Sequence, residues 1–248
     1  MTITFIFSLI AAGVAVGVVN VMAGGGSAIT LPLMIFLGLD PSVANGTNRV
    51  AIVMQNISAV AKFKKDQKEH DTRRSLYYGL MTLPGAILGA WYSVNIGARE
   101  FKIVLGVVMI LIVVSMLLPK TKESHFEKLE KRKWLLWPAM FGIGLFGGFI
   151  QAGVGFLIMA TLVHIAGENL VRTNIHKVYM VLIFTLPALL IFILTDNVNW
   201  VAAILLSAGA VIGGWIGAHM TLSKGEKAVR IMLIIAMIIM AIRLFMPA

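Results

Sequence analysis

Two glycine runs interrupt the apolar sequence at equivalent points, and together they restrict the chain to a helical design built twice. The first is Ala23-Gly24-Gly25-Gly26-Ser27, followed by a short apolar run and then Ala44-Asn45-Gly46-Thr47-Asn48-Arg49. The second lies 128 positions on: Gln151-Ala152-Gly153-Val154-Gly155, then Thr173-Asn174-Ile175-His176-Lys177. Glycine costs a helix about 1 kcal/mol relative to alanine and lets the chain turn sharply, so each run ends one helix and starts another.

Ten apolar stretches frame these motifs, at 3–23, 27–39, 43–61, 75–96, 101–118, 134–150, 154–166, 173–194, 200–221 and 229–246. Eight are near the ~17–25 residues of a spanning helix, while the second and seventh are shorter and read as half-helices or tilted re-entrant segments. With 59% hydrophobic and only 13% charged residues, the chain is far more apolar than a water-soluble domain of this size. The long unbroken runs lack the ~10-residue alternation of a membrane barrel, so the expected fold class is an all-α integral membrane protein. No basic segment precedes the first stretch, which runs directly into the repeated motif, so it is expected to stay in the mature protein rather than act as a signal peptide. The chain has no cysteine, which excludes disulfides, thiolate metal sites and a cysteine nucleophile.

Topology follows from charge. The net charge of +10 is concentrated in two loops, one carrying Lys62, Lys64, Lys65, Lys68, Arg73 and Arg74, the other Lys120, Lys122, Lys128, Lys131, Arg132 and Lys133. Both are expected to be cytoplasmic. The second-half counterpart of the first loop, Thr195-Asp196-Asn197-Val198-Asn199, has no Lys or Arg and is expected outside. One loop facing opposite sides in the two halves is the mark of inverted repeats, here 1–119 and 134–248 joined by a basic linker at 120–133. Arg99 and Lys102 fall near the outer face and run against the rule. Residue types also fall in register at the same offset: Asp40 with Glu168, Asn48 with His176, and Arg49 with Lys177.

The candidate site grows from the breaks. The amides around Gly25 and Gly26, with Ser27, and around Gly153 and Gly155 stand at helix starts, where N–H groups and the helix dipole favour an anion; Gln151 adds an amide. The third stretch starts at an Asp40-Pro41-Ser42 cap, which places Arg49 about 10–13 Å into the membrane. Asn45, Asn48, Arg49 and Asn56 share a helix face, and Thr173, His176 and Lys177 occupy its counterpart. A cation at such depth faces a cavity or a partner; the alternatives are snorkelling or pairing with Asp40 and Glu168. Two cations and two helix starts suit a small oxyanion, and His176 is a candidate proton carrier. Tyr77, Tyr78, Trp91, Trp134, Trp137 and Trp200 fall near membrane boundaries and need no substrate role. Gly13/Gly17, Gly85/Gly89 and Gly213/Gly217 read as packing positions.

These residues resemble the sulfite exporter TauE/SafE family. The likeness rests on Gly24-Gly25-Gly26-Ser27, Pro32-Leu33, Gly38 and Ala44-Asn45-Gly46-Thr47-Asn48, and on Gln151 to Phe156, Val171-Arg172-Thr173-Asn174 and Lys177-Val178. The second half departs from the first at Ala160, in the place of Pro32, and at Val154 within the glycine run. The resemblance implies an inner-membrane permease for sulfite, thiosulfate or an organosulfonate such as sulfoacetate, working mostly as an exporter.

The reading is a multi-pass transporter of the cell membrane, not an enzyme, moving a small sulfur-containing anion by alternating access with a proton as the candidate coupling ion. Its partners are that anion and the lipid bilayer; no nucleic acid and no cofactor is expected, and homo-oligomerisation is left open. No Gly-x-x-x-x-Gly-Lys-Ser/Thr loop is present to drive transport with ATP. An anion channel of the same architecture is the alternative. An intramembrane hydrolase with Ser27 as nucleophile needs an aligned base, for which only His176 offers itself.

Overall fold

A computed structural model describes residues 3–66, 71–117 and 134–245. The described residues are all-helical: α1 (Ile3–Ala23), α2 (Ser27–Phe36), α3 (Pro41–Asp66), α4 (Thr72–Asn95), α5 (Ala98–Leu117), α6 (Leu136–Phe149), α7 (Val154–His164), α8 (Leu170–Leu194) and α9 (Trp200–Phe245). Lys68 and the basic linker at 120–133 lie outside them. The expected ninth and tenth stretches are two helices that meet at a kink at Gly225, whose backbone is non-helical, and α9 denotes both.

Local chemistry sets the boundaries. Asp40 caps α3 by accepting from the Ser42 amide at 3.0 Å. Asp71 caps α4 through the Arg74 amide at 3.0 Å, and Asn169 caps α8 through the Arg172 amide at 2.9 Å. Among the described residues two helices, Leu170–Leu194 and Trp200–Gly225, are long and apolar enough to cross a membrane by length and composition. By contrast α2 and α7 have 10 and 11 residues, a rise of about 15–17 Å, half the ~30 Å of a hydrocarbon core. They are half-helices.

Packing exchanges partners between the halves. The first helix of the first half, α1, packs chiefly on α9, and the first helix of the second half, α6, packs chiefly on α4. Small residues make both seams. Gly13 and Gly17 meet the backbone of Leu206 to Gly214, and Gly85 and Gly89 meet that of Phe141 to Phe149. With little hydrophobic drive between helices in lipid, this backbone approach supplies the van der Waals contact that holds them. Trp91, Trp134, Trp137 and Trp200 are all more than half exposed, as boundary aromatics are, and Tyr77 is nearly so. Tyr78 differs: it is 3% exposed, buried between α4 and α8.

Candidate functional site

The two glycine breaks meet at the centre of the fold. Gly24, at φ +82°, turns the chain from α1 into α2, and Gly153, at φ +76°, turns it into α7. These are left-handed conformations that side chains with a Cβ disfavour. Gly24 and Gly155 lie in direct backbone contact, so that a Cβ on either would enter the other's main chain. The first turns of both half-helices therefore face one small cavity.

Its polar wall consists of Asn20, Ser27, Gln55, Asn56, Gln151 and Lys177, with Gly24 and Gly155. Ile52, Val154 and Val181 complete it. At about 10 Å³ it has room for about one water, so a larger occupant requires the lining to move. A roomier hollow of about 560 Å³ lies between α4, α5 and α6, but Leu88, Trp91, Leu145 and Phe149 give it a hydrocarbon wall without a charged side chain.

Each buried cation closes the broken helix of the opposite half. Lys177, 1% exposed, donates to the Asn20 and Val21 carbonyls at 3.2 and 2.7 Å, at the C-terminal end of α1, and to Asn174 Oδ1 at 2.6 Å. Arg49, fully buried, donates to the Gly147 and Gly148 carbonyls at 3.2 and 2.5 Å, at the end of α6, and its guanidinium lies 4.7 Å from the Phe192 ring centre. The last carbonyls of a helix lack intrahelical donors and carry about −0.5 charge, while the start of the following helix carries about +0.5. One cation per break leaves each half about +1 at the crossing. Neither Asp40 nor Glu168 is the partner of these cations, and neither cation snorkels.

The other sequence-selected residues fall into three groups. Ser27, Gln151, Gly155 and Lys177 border the cavity. Gln151 Nε2 donates to Thr185 Oγ1, while its Oε1 is buried without a hydrogen-bond partner. Gly25, Gly26 and Gly153 form the turns beside it, and the Gly26 amide is taken by Asn20 Oδ1 at 3.0 Å. Arg49, Asn45, Asn48, Thr173 and His176 are buried but do not line it. Asn45 donates to Ser93 Oγ at 3.1 Å and to the Phe149 carbonyl at 2.8 Å; Asn48 Oδ1 accepts from Thr30 at 2.6 Å. Thr173 Oγ1 donates to the Glu168 carbonyl at 3.4 Å. His176 meets Ser75 and Glu168 rather than Ser27, whose hydroxyl faces Asn20 Nδ2 at 3.4 Å. A hydrolytic pair is therefore not assembled among these residues.

Asn56, expected on the face of Arg49, is a wall residue, and Asn20 and Gln55 join it, their only sign in the sequence being an amide side chain within an apolar helix. Asn20 stands out, since it laces the break by holding Gly26 and facing Ser27.

The sequence profile of the family described as sulfite exporter TauE/SafE matches residues 9–244. Among individual proteins, the chain is 27% identical to the probable membrane transporter protein YfcA of Escherichia coli K12, over 92% of this chain and 85% of that one. It is 26% identical to a probable membrane transporter protein of Haemophilus influenzae, over 95% and 92%. A third relative, the probable membrane transporter protein YunE of Bacillus subtilis, is 24% identical over 95% and 96%. No solved structure matches the chain.

Proposed function

The chain belongs to the sulfite exporter TauE/SafE family and is a multi-pass transporter of the cell membrane, and from this we propose that it is a secondary carrier of a small sulfur-containing oxyanion or organosulfonate, bound where α2 and α7 begin. The observation that carries this reading is the cavity bordered by Lys177 and by the first turns of both half-helices. A cation and two positive helix ends around a water-sized space favour an anion and repel a cation.

In this proposal Lys177, Ser27, Gln151 and the turns at Gly25, Gly26, Gly153 and Gly155 hold the anion. Arg49 adds charge from behind the α6 end. Asn45, Asn48, Thr173 and His176 hold the surrounding helices in register. The halves 1–119 and 134–248 act as inverted repeats. The exchanged packing of α1 on α9 and α6 on α4, and the exchanged capping by Lys177 and Arg49, support that reading. The small size of the cavity supports a carrier over an open channel, since entry of a ligand larger than a water requires movement of the wall.

The test is a thermal-shift panel of the purified full chain with sulfite, thiosulfate, sulfoacetate, taurine, sulfate and chloride. A sulfur anion at about 100 times its Kd stabilises by about 2.7 kcal/mol, which raises Tm by several degrees, while chloride leaves it unchanged. Flux of that anion into proteoliposomes that accelerates with the same anion on the far side marks a carrier, and flux indifferent to it marks the channel. No shift with any sulfur anion overturns the substrate class.

A further inference from the structure

The two ends of the α3/α8 pair are closed by different chemistry. At one end the Asn199 amide donates to Thr47 Oγ1 at 2.9 Å and Gly46 packs on the Asn197 carbonyl, a neutral, close seam. At the other, Glu168, 7% exposed between α7 and α8, sets Oε1 2.9 Å from Arg74 of α4 and 3.7 Å from Nε2 of His176 of α8. His176 Nδ1 contacts Ser75 Oγ at 2.8 Å, and its ring stands edge-on to Tyr78, whose hydroxyl accepts from Arg74 Nε at 2.8 Å. The residues 128 positions from Arg74, Ser75 and Tyr78 are Ala202, Ala203 and Leu206, so this cluster has no copy in the other half.

Both cationic partners address the same oxygen. Glu168 Oε1 has an ion-pair contact with Arg74 but no aligned hydrogen bond. Granted the carrier reading above, we propose that Glu168 and His176 form the proton-binding site of the transport cycle, and that the bound proton decides whether the two halves stay tied through Arg74. With His176 neutral, Glu168 is held by Arg74, which bridges from the first half to the second. A proton on the imidazole makes Nε2–H a charged donor that draws Oε1 into a short bond within the second half. Arg74, whose side chain is 47% exposed, then passes to water, so the tie from α4 to Glu168 is lost while Ser75 keeps its contact with His176. Release of this end opens the way to the cavity, whose α8 residues Lys177 and Val181 follow His176 by one and five positions.

Other charged groups share this end. At the start of α4 they are Asp71, Arg73, Tyr77 and Tyr78; at the end of α3, Lys62, Lys64, Lys65 and Asp66; on α8, Arg172, Lys177 and Tyr179; on α7, His164. His164 is the imidazole among these groups and serves as the control.

The chain has no cysteine, which allows a single reporter. Val181→Cys is placed between the cavity and Tyr78, and its rate of modification by a membrane-impermeant thiol reagent is measured in proteoliposomes without substrate, divided at each pH by the rate for the denatured protein. The corrected rate is expected to rise several-fold from about pH 7.5 to 5.5, either side of the histidine's ordinary ~6.5. Adding His176→Asn, the residue type at the matching position Asn48, should leave the rate low at both pH values. Adding Arg74→Gln should leave it high at both, and adding His164→Asn should leave the rise intact. A misfolded variant labels fast, so the slow labelling of H176N has no such origin. A parent rate without a rise, an H176N variant that keeps the rise, an R74Q variant that labels slowly, or an H164N variant that loses the rise each overturns the proposal. Because no anion enters this measurement, its failure is separate from a failed anion panel.

Discussion

Gly24→Ala is expected to leave almost no folded protein. The new Cβ would sit at φ +82° and enter the backbone of Gly155, so neither a rotamer change nor a side-chain shift relieves it, and the two half-helices must separate. Loss of such a crossing belongs with the largest single-residue effects, above about 4 kcal/mol. Gly38→Ala is the control: its φ is +91°, but nothing lies within 4 Å of the added Cβ. Only the conformational penalty of about 1–2 kcal/mol applies there. Monodisperse yield after detergent extraction, together with Tm, compares the two. Equal Tm values for the Gly24 and Gly38 variants would show that the crossing is not tight.

Lys177→Met is expected to remove anion binding as well as stability, whereas Arg49→Met removes mainly stability. Both substitutions strand helix-end carbonyls, Gly147 and Gly148 for Arg49 and Val21 for Lys177, since Asn20 keeps the Gly24 amide, at about 1–3 kcal/mol per buried group. Lys177 alone borders the cavity, so K177M should lose the ligand-induced shift in Tm and lower flux by at least about 100-fold, the equivalent of ~2.7 kcal/mol. R49M should show a lower starting Tm with a shift still present, since its charge acts from behind the α6 end. The comparison is made below the melting point of both variants, by Tm with and without the active anion. A full ligand shift in K177M would remove Lys177 from the site.

These contrasts show which parts of the molecule were legible in the sequence. The breaks at Gly24 and Gly153 were, because a glycine run between apolar segments is a local signal, and so was the Asp40 start of α3. That Arg49 and Lys177 are buried followed from counting residues from a helix start. What they bind did not follow, because the acceptors are backbone carbonyls, which have no sequence identity, and they stand 98 to 157 residues away. The expectation that both cations meet the substrate directly came from treating them as unpaired charges. The helix ends provide the partners, and only Lys177 keeps a place at the wall.

Tyr78 shows a related limit. It sits next to Tyr77 near a membrane boundary, and an aromatic belt explains both equally well from sequence. At 100° per residue the two side chains leave α4 in different directions, with α8 on one side, although their ring centres still lie 6.2 Å apart. Tyr77 is therefore 49% exposed while Tyr78 is 3% exposed against His176. The Glu168 cluster was invisible for the same reason: it unites α4 with the α7–α8 junction, and three of its members have no counterpart of similar type in the other half.

The exchanged caps also bear on how the chain is made. The ammonium that closes α1 lies well over a hundred residues beyond the end of α2, so it is made long after α1 and α2 are complete. The early break must wait in the bilayer with open carbonyls until α8 arrives, and α6, in turn, finds Arg49 already in place. Assembly of the first half is thus completed by the last-made half. A truncated product ending before α8 would carry an unsealed break, giving a membrane quality-control protease a chemical difference between a finished chain and an unfinished one.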